Sequence, residues 1–297
     1  TSLGITPIYL VGSEKQKRKY IPPLASGEMI GAFGLTEASA GSDAAATKTT
    51  AVKKGDEWII NGSKVFTTNA GVAGVISITA KVIEDDKEKG IGAFIIETDN
   101  PGLRIGPKEK KMGWNASDTR QIFFEALRVS DEQRLGEPVD GFRTFLKALV
   151  GGRISVGALS CGTAEGAYSA ALNYSHEREA FGKPIHKFQS VGFKLADMAT
   201  EIEASKLLVY QAAKKYDEGH NVVKEAAMAK LFASETAMKT TTEAIQVFGG
   251  YGYIKEYPAE RFFRDAKVLT IGEGTSEIQK IIILREILKS LDNAISV

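Results

Sequence analysis

The 297-residue sequence holds one cysteine, Cys161, and three histidines, His176, His186 and His220. A lone cysteine cannot close an internal disulfide, which fits a reducing compartment. It lies in a small-residue helical stretch, where packing is the expected role. None of the histidines has a partner spacing suited to zinc, so no metal site is expected. An excess of either charge is also lacking, since 38 basic side chains face 37 acidic ones. With no block of like charge, a nucleic-acid surface or a charged tail is not expected. The longest uncharged run, Val65 to Ala80, is short and carries Thr, Asn, Ser and Gly, so it does not read as a membrane span. The opening TSLGITPIYLVGSEKQKRKY lacks a basic start followed by a long apolar core, so no signal peptide or other targeting segment is expected. No G-x-S-x-G elbow supports a serine hydrolase. GGYGY (249–253) follows a helical pattern and lacks the full fingerprint of a dinucleotide-binding turn.

What is present falls into three zones, residues 1–31, 32–137 and 138–297. In the first, GSEKQKRKYIPPL predicts a short helix capped by Ser13, with Gln16 three residues on and Pro22-Pro23 as its stop. The second zone reads as strands. EWIINGSKVF predicts a hairpin about Asn61-Gly62, the favoured pair for a type I′ turn. IGAFIIE (91–97) and RQIFFEALRV (120–129) add further strands, and no long helical pattern interrupts them. An antiparallel barrel or sandwich is therefore expected. From about residue 140, apolar positions recur at three and four, giving four long helices and a helical bundle.

Two stretches carry candidate chemistry. FGLTEASAGSD (33–43) offers the hydroxyls of Thr36 and Ser42 beside a permissive Gly41. QVFGGYGYIKEYPAERFFRDAKVLTIGEGTSEIQ (246–279) ends with Glu273 between Gly272 and Gly274. Glycine on both sides supports a structural charge poorly but lets a ligand approach the main chain. Taken alone, Glu273 would be a charge at a helix start.

These stretches, with INGSKVFTTNA, HEREAFGKPIHKFQ and IGEGTSEIQ, resemble the acyl-CoA dehydrogenase family, of the short-chain or butyryl type. The resemblance runs from about Leu3 to Leu291. It implies an α+β multidomain fold: an antiparallel β-barrel domain at 32–137 followed by an up-down four-helix bundle at 138–297. Residues 1–31 would be a remnant of the family's N-terminal helical domain, most of which this sequence lacks. The implied reaction is FAD-dependent α,β-dehydrogenation of a short-chain acyl-CoA to the trans-2-enoyl-CoA. Glu273 matches the base that removes the α-proton while the β-hydrogen leaves as hydride to the flavin N5. Desolvation must then oppose the helix N-terminal field, which by itself lowers a carboxylate pKa.

By the same resemblance, Phe33, Leu35, Thr36 and Ser42 match flavin contacts, and Ser42 also lies near bound CoA. Phe66, Thr67 and Thr68 match the segment that covers the flavin. Arg178, Gln189 and the segment Gln246, Val247, Phe248, Gly249 and Gly250 match groups reaching FAD from a neighbouring subunit. Thr275 and Glu277 align with cofactor positions. Val150, Arg153 and Gly274 align with the substrate side. Electron-transfer flavoprotein is the implied electron acceptor, in a homo-oligomer, dimer or tetramer, of the bacterial cytoplasm or mitochondrial matrix. An acyl-CoA oxidase-like flavoenzyme and a catalytically silent flavin- or CoA-binding scaffold stand as alternatives. Four departures from the family pattern bear on this. The first is Val150, where relatives often have Asp; the second is Gly272, where many have Tyr; the third is Ala38, where Pro is frequent, together with Phe66, where Trp is frequent. The fourth is the short start.

Overall fold

In the computed structural model, which describes residues 2–295 and side chains within residues 2–292, the chain divides into two units. The first takes residues up to Lys111 together with Asn115–Leu149. It opens with α1 (Ser2–Val11) and α2 (Glu14–Ser26). Ser13 and Gln16 close the expected capping box over the start of α2. The expected stop at Pro22-Pro23 is not observed: both prolines lie inside α2, which ends at Gly27 with φ +84°. Tyr20 and Leu24, one turn apart across the prolines, are buried against the sheet, and this packing carries the helix past the missing donors.

Eight strands form the sheet: β1 (Gly31–Gly34), β2 (Thr50–Lys54), β3 (Glu57–Thr68), β4 (Val75–Glu84), β5 (Lys87–Glu97), β6 (Leu103–Lys108), β7 (Thr119–Ser130) and β8 (Arg134–Leu135). Their order is β6-β7-β3-β2-β4-β5-β8, with β1 also on β4. This corrects two expectations. The sheet is open, not a closed barrel, because β8, at the end opposite β6, is only two residues long. It is also mixed, since β1 and β2 each run parallel to β4. The hairpin at Asn61-Gly62 is absent as well. Asn61 takes a ladder position opposite Thr50, its Oδ1 accepts the Ala126 N–H at 2.8 Å, and β3 runs straight on. The register shift there bulges β7, where Ala126 takes φ +47°. The tight turn lies earlier, at Gly55-Asp56 between β2 and β3.

Both faces of the sheet are covered near β4 and β5. Trp58, Ile76, Ile78, Phe94, Ile96 and Ile122 bury one face. Ile8, Tyr20 and Leu24 from the helices meet Val75, Ala93, Ile95 and Phe145 on the other. The near-continuous apolar run of β4 follows from burial on both sides.

Within this unit Lys64 is fully buried and its ammonium pairs with Glu37 at 2.8 Å. The same ammonium donates to the Leu35 carbonyl at 3.2 Å and the Thr47 hydroxyl at 2.9 Å. Glu37 also accepts the Thr47 hydroxyl and the N–H groups of Lys48 (2.6 Å) and Thr49 (3.0 Å). Burial alone would raise the Glu37 pKa, but Lys64 and these donors together bring it down to about 2.

The second unit takes Met112–Trp114 and residues from Val150 on. Its helices are α3 (Gly141–Glu177, counted here from Val150), α4 (Gln189–Asp217), α5 (Val223–Phe248), α6 (Ala259–Lys267) and α7 (Ser276–Ile295). Alanine-rich faces of α3, α4 and α5 share three buried clusters, and Cys161 packs among Ile154, Val209 and Ala212 as expected. α3 is long and apolar enough to cross a membrane by length and composition, yet its Ala164, Ala167 and Ala171 are buried among the other helices. α7 packs along α5, and among the described residues the three clusters draw on none of its side chains, so the contacts describe a helical domain and do not by themselves establish the expected four-helix bundle.

Lys64→Met leaves the Glu37 carboxylate buried without its cation, a change that costs about 3–5 kcal/mol. The variant is expected to unfold at a lower temperature than the parent, by calorimetry at pH 7. In the parent, the Glu37 contribution is present above its ordinary 4.5 and lost as pH falls towards about 2. The gap between the two proteins should therefore narrow in acid. Equal unfolding temperatures at pH 7 would show that the pair does not stabilise the unit.

Candidate active site

The turn before α7 is built from two consecutive left-handed residues, Glu273 at φ +54° and Gly274 at φ +95°. Upstream, the N–H groups of Ile271 and Gly272 both donate to the Val268 carbonyl, at 3.0 and 2.8 Å. Downstream, the Thr275 hydroxyl accepts the Ile278 N–H at 3.3 Å and caps the helix. Gln279 Nε2 donates to the carbonyls of Glu273 (3.2 Å) and Gly274 (2.9 Å). Lys230 Nζ, from α5, reaches the same Gly274 carbonyl at 2.9 Å. A left-handed glutamate is costly, of order 1–3 kcal/mol, and persists only where its surroundings fix it. At Gly274 a Cβ would come within 2.7 Å of Gln279 Nε2, whereas at Gly272 it would meet nothing closer than the Val268 carbonyl at 3.4 Å.

This turn holds an unusual carboxylate. Glu273 Oε2 is buried and has no hydrogen-bond partner among the described residues. Burial raises its pKa to about 7, against the opposing pull of Arg153 and Lys230. Arg153 is 5% exposed, with its Nε also unpartnered. Burial holds its guanidinium below its ordinary value, with Glu273 opposing and Arg285 adding to the effect. Lys230 is fully buried, and burial brings it to about 8 despite Glu273 and Glu235. Glu277, one turn on, is exposed and lies below its ordinary value through its own N–H and the Thr275 hydroxyl. Of the two glutamates, only Glu273 is set up to exchange a proton near neutrality.

The remaining expected positions are placed by each unit separately. In the sheet unit, Phe33 stacks on Phe145 with centroids 4.3 Å apart. The Val65 N–H donates to the Thr36 carbonyl at 2.8 Å and Lys64 reaches Leu35, so 35–36 and 65–68 lie together. Val65-Phe66 form a bulge against β7, with Phe66 at φ +55° and its side chain 68% exposed. Thr67 Oγ1 is buried without a partner, Thr68 is exposed, and Ser42 is exposed on the loop after β1. In the helical unit, Arg178 is exposed and lies over the Tyr251 ring at 5.7 Å, close to Gly249 and Gly250 in sequence. Gln246 is exposed, but Val247 and Phe248 are buried, with Phe248 stacked on Tyr174. Gln189 is exposed at the first position of α4. Val150 packs against the cluster around Ile154. Two residues of the turn, Lys230 and Gln279, were not expected. For Lys230 a signal existed, a charge inside the alanine stripe of Ala226, Ala229 and Ala233.

Two family models match, "Acyl-CoA dehydrogenase, middle domain" over residues 32–127 and "Acyl-CoA dehydrogenase, C-terminal domain" over residues 139–288. The chain is 50% identical over 289 residues to the "Probable acyl-CoA dehydrogenase YngJ" of Bacillus subtilis (strain 168), covering 97% of this chain and 76% of that protein. It superposes on butyryl-CoA dehydrogenase from Megasphaera elsdenii with a TM-score of 0.93 at 47% identity, over 97% of this chain and 75% of the other. A chain from a structure of the electron transferring flavoprotein of Acidaminococcus fermentans gives 0.93 at 50% identity, over 97% and 76%. The chain belongs to the acyl-CoA dehydrogenase family of FAD-dependent oxidoreductases. Its residues fit the cofactor: the exposed Phe66 ring offers a stacking face, and beside it the orphaned Thr67 hydroxyl offers a polar partner.

The two glycines of the turn should behave differently. Gly274→Ala is expected to lower the unfolding temperature and slow flavin reduction by substrate, because it forces Gln279 aside at a left-handed position. Gly272→Ala is expected to leave both close to the parent. Calorimetry and anaerobic absorbance measure the pair, and equal sensitivity at the two positions would contradict this account of the turn.

Proposed function

We propose that the chain dehydrogenates a short-chain acyl-CoA at the α,β carbons, with Glu273 as the base that takes the α-proton. The observation carrying this is the Oε2 atom of the half-buried Glu273, itself buried and unpartnered among the described residues, with burial raising the carboxyl pKa to about 7. A thioester α-proton is weakly acidic, so the base must be ionised near neutrality yet basic enough to accept it. The main-chain N–H of Glu273 is the donor this chain offers to the thioester oxygen as negative charge develops. When bound, FAD supplies the oxidant that takes the β-hydrogen as hydride. Phe33, Leu35, Thr36, Ser42 and Phe66–Thr68 would hold the cofactor from the sheet unit. Arg178, Gln189 and 246–250 would reach the cofactor of a neighbouring subunit in a homo-oligomer, with Thr275 and Glu277 at the helix start. Val150, Arg153, Gly274 and Ser42 would face the substrate.

The short-chain assignment draws on the likeness to butyryl-CoA dehydrogenase, and electron-transfer flavoprotein as acceptor on the likeness to the Acidaminococcus fermentans chain. The missing side chain at Gly272, where a Cβ would make one contact with the Val268 carbonyl at 3.4 Å, supports a roomier acyl end than a tyrosine there would leave.

Glu273→Gln is expected to keep bound FAD and lose bleaching by butyryl-CoA under anaerobic conditions almost entirely. In the parent the bleaching rate should rise with pH through about 7 as the base ionises. Bleaching of the variant at the parent rate would place the base elsewhere. Peroxide formed in air without an acceptor would identify an oxidase, and a parent flavin that no acyl-CoA bleaches would identify a silent scaffold. The same substitution tests the electrostatics without substrate. A carboxyl whose folded pKa is raised adds stability below its ordinary 4.5 that is lost as pH rises through about 7. Glu273→Gln should therefore unfold at a higher temperature than the parent at pH 8 and near the parent's temperature at pH 4.5.

A further inference from the structure

Lys230 is fully buried on α5, and its neighbours on that helix face, Ala226, Ala229 and Ala233, are fully buried too. An ammonium in such a place is expensive unless something compensates it. Among the described residues no carboxylate closes an ion pair on it, and its hydrogen bond goes to the Gly274 carbonyl at 2.9 Å. That carbonyl already accepts from Gln279 Nε2 at the same distance, so a second neutral donor would add little to the turn. What Lys230 contributes beyond Gln279 is positive charge. The charged groups that act on it are Glu273 and Glu277 at the turn, Glu235 on its own helix and Arg153 on α3. Glu235 is itself engaged by the Ser276 hydroxyl. On Glu273 the two cations that act are Arg153 and Lys230, and Arg285 of α7 acts on Arg153.

We propose that Lys230 is a positioning residue for the Glu273 base: its ammonium anchors the Gly274 carbonyl of the left-handed turn and supplies the buried positive charge against which the Glu273 carboxylate ionises. The proposal rests on the reading of Glu273 as the base. It gives the lysine two separable duties, one geometric and one electrostatic. The geometric duty is shared with Gln279. The electrostatic duty is shared with Arg153, which lies within the same buried cluster but makes no hydrogen bond to the turn among the described residues. Each of the two groups acts on the titration of the other through charge.

The test compares FAD-loaded parent, Lys230→Met and Lys230→Arg in rapid-mixing reduction by butyryl-CoA from about pH 5.5 to about pH 9, a range that brackets both groups. Loss of a nearby opposite charge moves a carboxyl by about one pH unit or more. Lys230→Met should therefore raise the midpoint by about one pH unit, which makes reduction about fivefold slower at pH 7 and close to the parent near pH 9. Lys230→Arg should keep the parent midpoint. Difference infrared spectroscopy of the protonated Glu273 carboxyl, assigned against Glu273→Gln, should show the same displacement without turnover. A merely structural lysine predicts instead a loss by one constant factor at every pH, with the carboxyl titrating where it does in the parent, and that result overturns the proposal. Should Lys230→Met fail to accumulate folded, Lys230→Gln carries the same comparison, since its amide keeps a donor and removes the charge. If Glu273→Gln is inactive while the neutral Lys230 variants keep the parent midpoint, only the role of Lys230 falls. If Glu273→Gln reduces at the parent rate, the base itself falls.

Discussion

The chemistry proposed for this chain depends on a carboxylate oxygen that is desolvated and left without a hydrogen bond among the described residues. Most buried polar groups in folded proteins find partners, and a buried charge without one carries a large penalty. Here the penalty is concentrated in one side chain, Glu273, and it is expressed as proton affinity near neutral pH rather than as a broken fold. The left-handed backbone at Glu273 adds to the cost. The surroundings offset both through the main chain. Gln279 and Lys230 bond the carbonyls of the turn, and Thr275 caps the following helix, while the carboxylate itself is left alone. The turn is tied down by its backbone so that its side chain can remain unbound.

A second buried glutamate shows that burial alone does not produce this state. Glu37 is buried in its unit, and it also faces a buried lysine. Its pKa nevertheless falls to about 2, while that of Glu273 rises to about 7. The difference is direct hydrogen bonding. Glu37 accepts from Lys64, Thr47, Lys48 and Thr49, so its charged form is solvated by the protein. Glu273 feels Arg153 and Lys230 through space only, and desolvation outweighs them. One network ties the loop at residues 47–49 to Glu37 and, through Lys64, to Leu35 just after β1, and the other leaves Glu273 Oε2 without a donor among the described residues. The chain thus separates the structural use of a buried charge from its reactive use by the count of donors around it.

Much of this was legible in the sequence where a signal is local. The capping box at Ser13 and Gln16, the strands over 91–97 and 120–129 and the long helices all follow from spacing, and all are observed. The signals that misled were also local, and long-range contacts overrode them. Asn61-Gly62 has the composition of a turn, but its neighbours Thr50 and Ala126 make it a through-going strand. Pro22-Pro23 has the composition of a stop, but Tyr20 and Leu24 are held by the sheet. Whether the sheet closes is decided by how far β8 extends, and two residues leave no periodicity to read. At the site, Glu273 was marked by its glycines. Lys230 lies 43 positions earlier in sequence and could be seen only as a charge out of place in an alanine face.

The placement of Glu273 relative to α7 explains why the neighbouring Glu277 does not share its raised proton affinity. Both sit at the helix start, where the positive end of the dipole and free N–H groups favour an ionised carboxylate. Glu277 lies inside the first turn, exposed, and takes the full benefit of those donors, so its pKa falls. Glu273 precedes the Thr275 cap, and among the described residues no N–H of the helix start donates to its Oε2. It is therefore close to the helix without being capped by it, and burial decides its proton affinity. A glutamate moved one turn along the same helix would be a better helix residue and a poorer base, because its charge would already be satisfied before any substrate arrived.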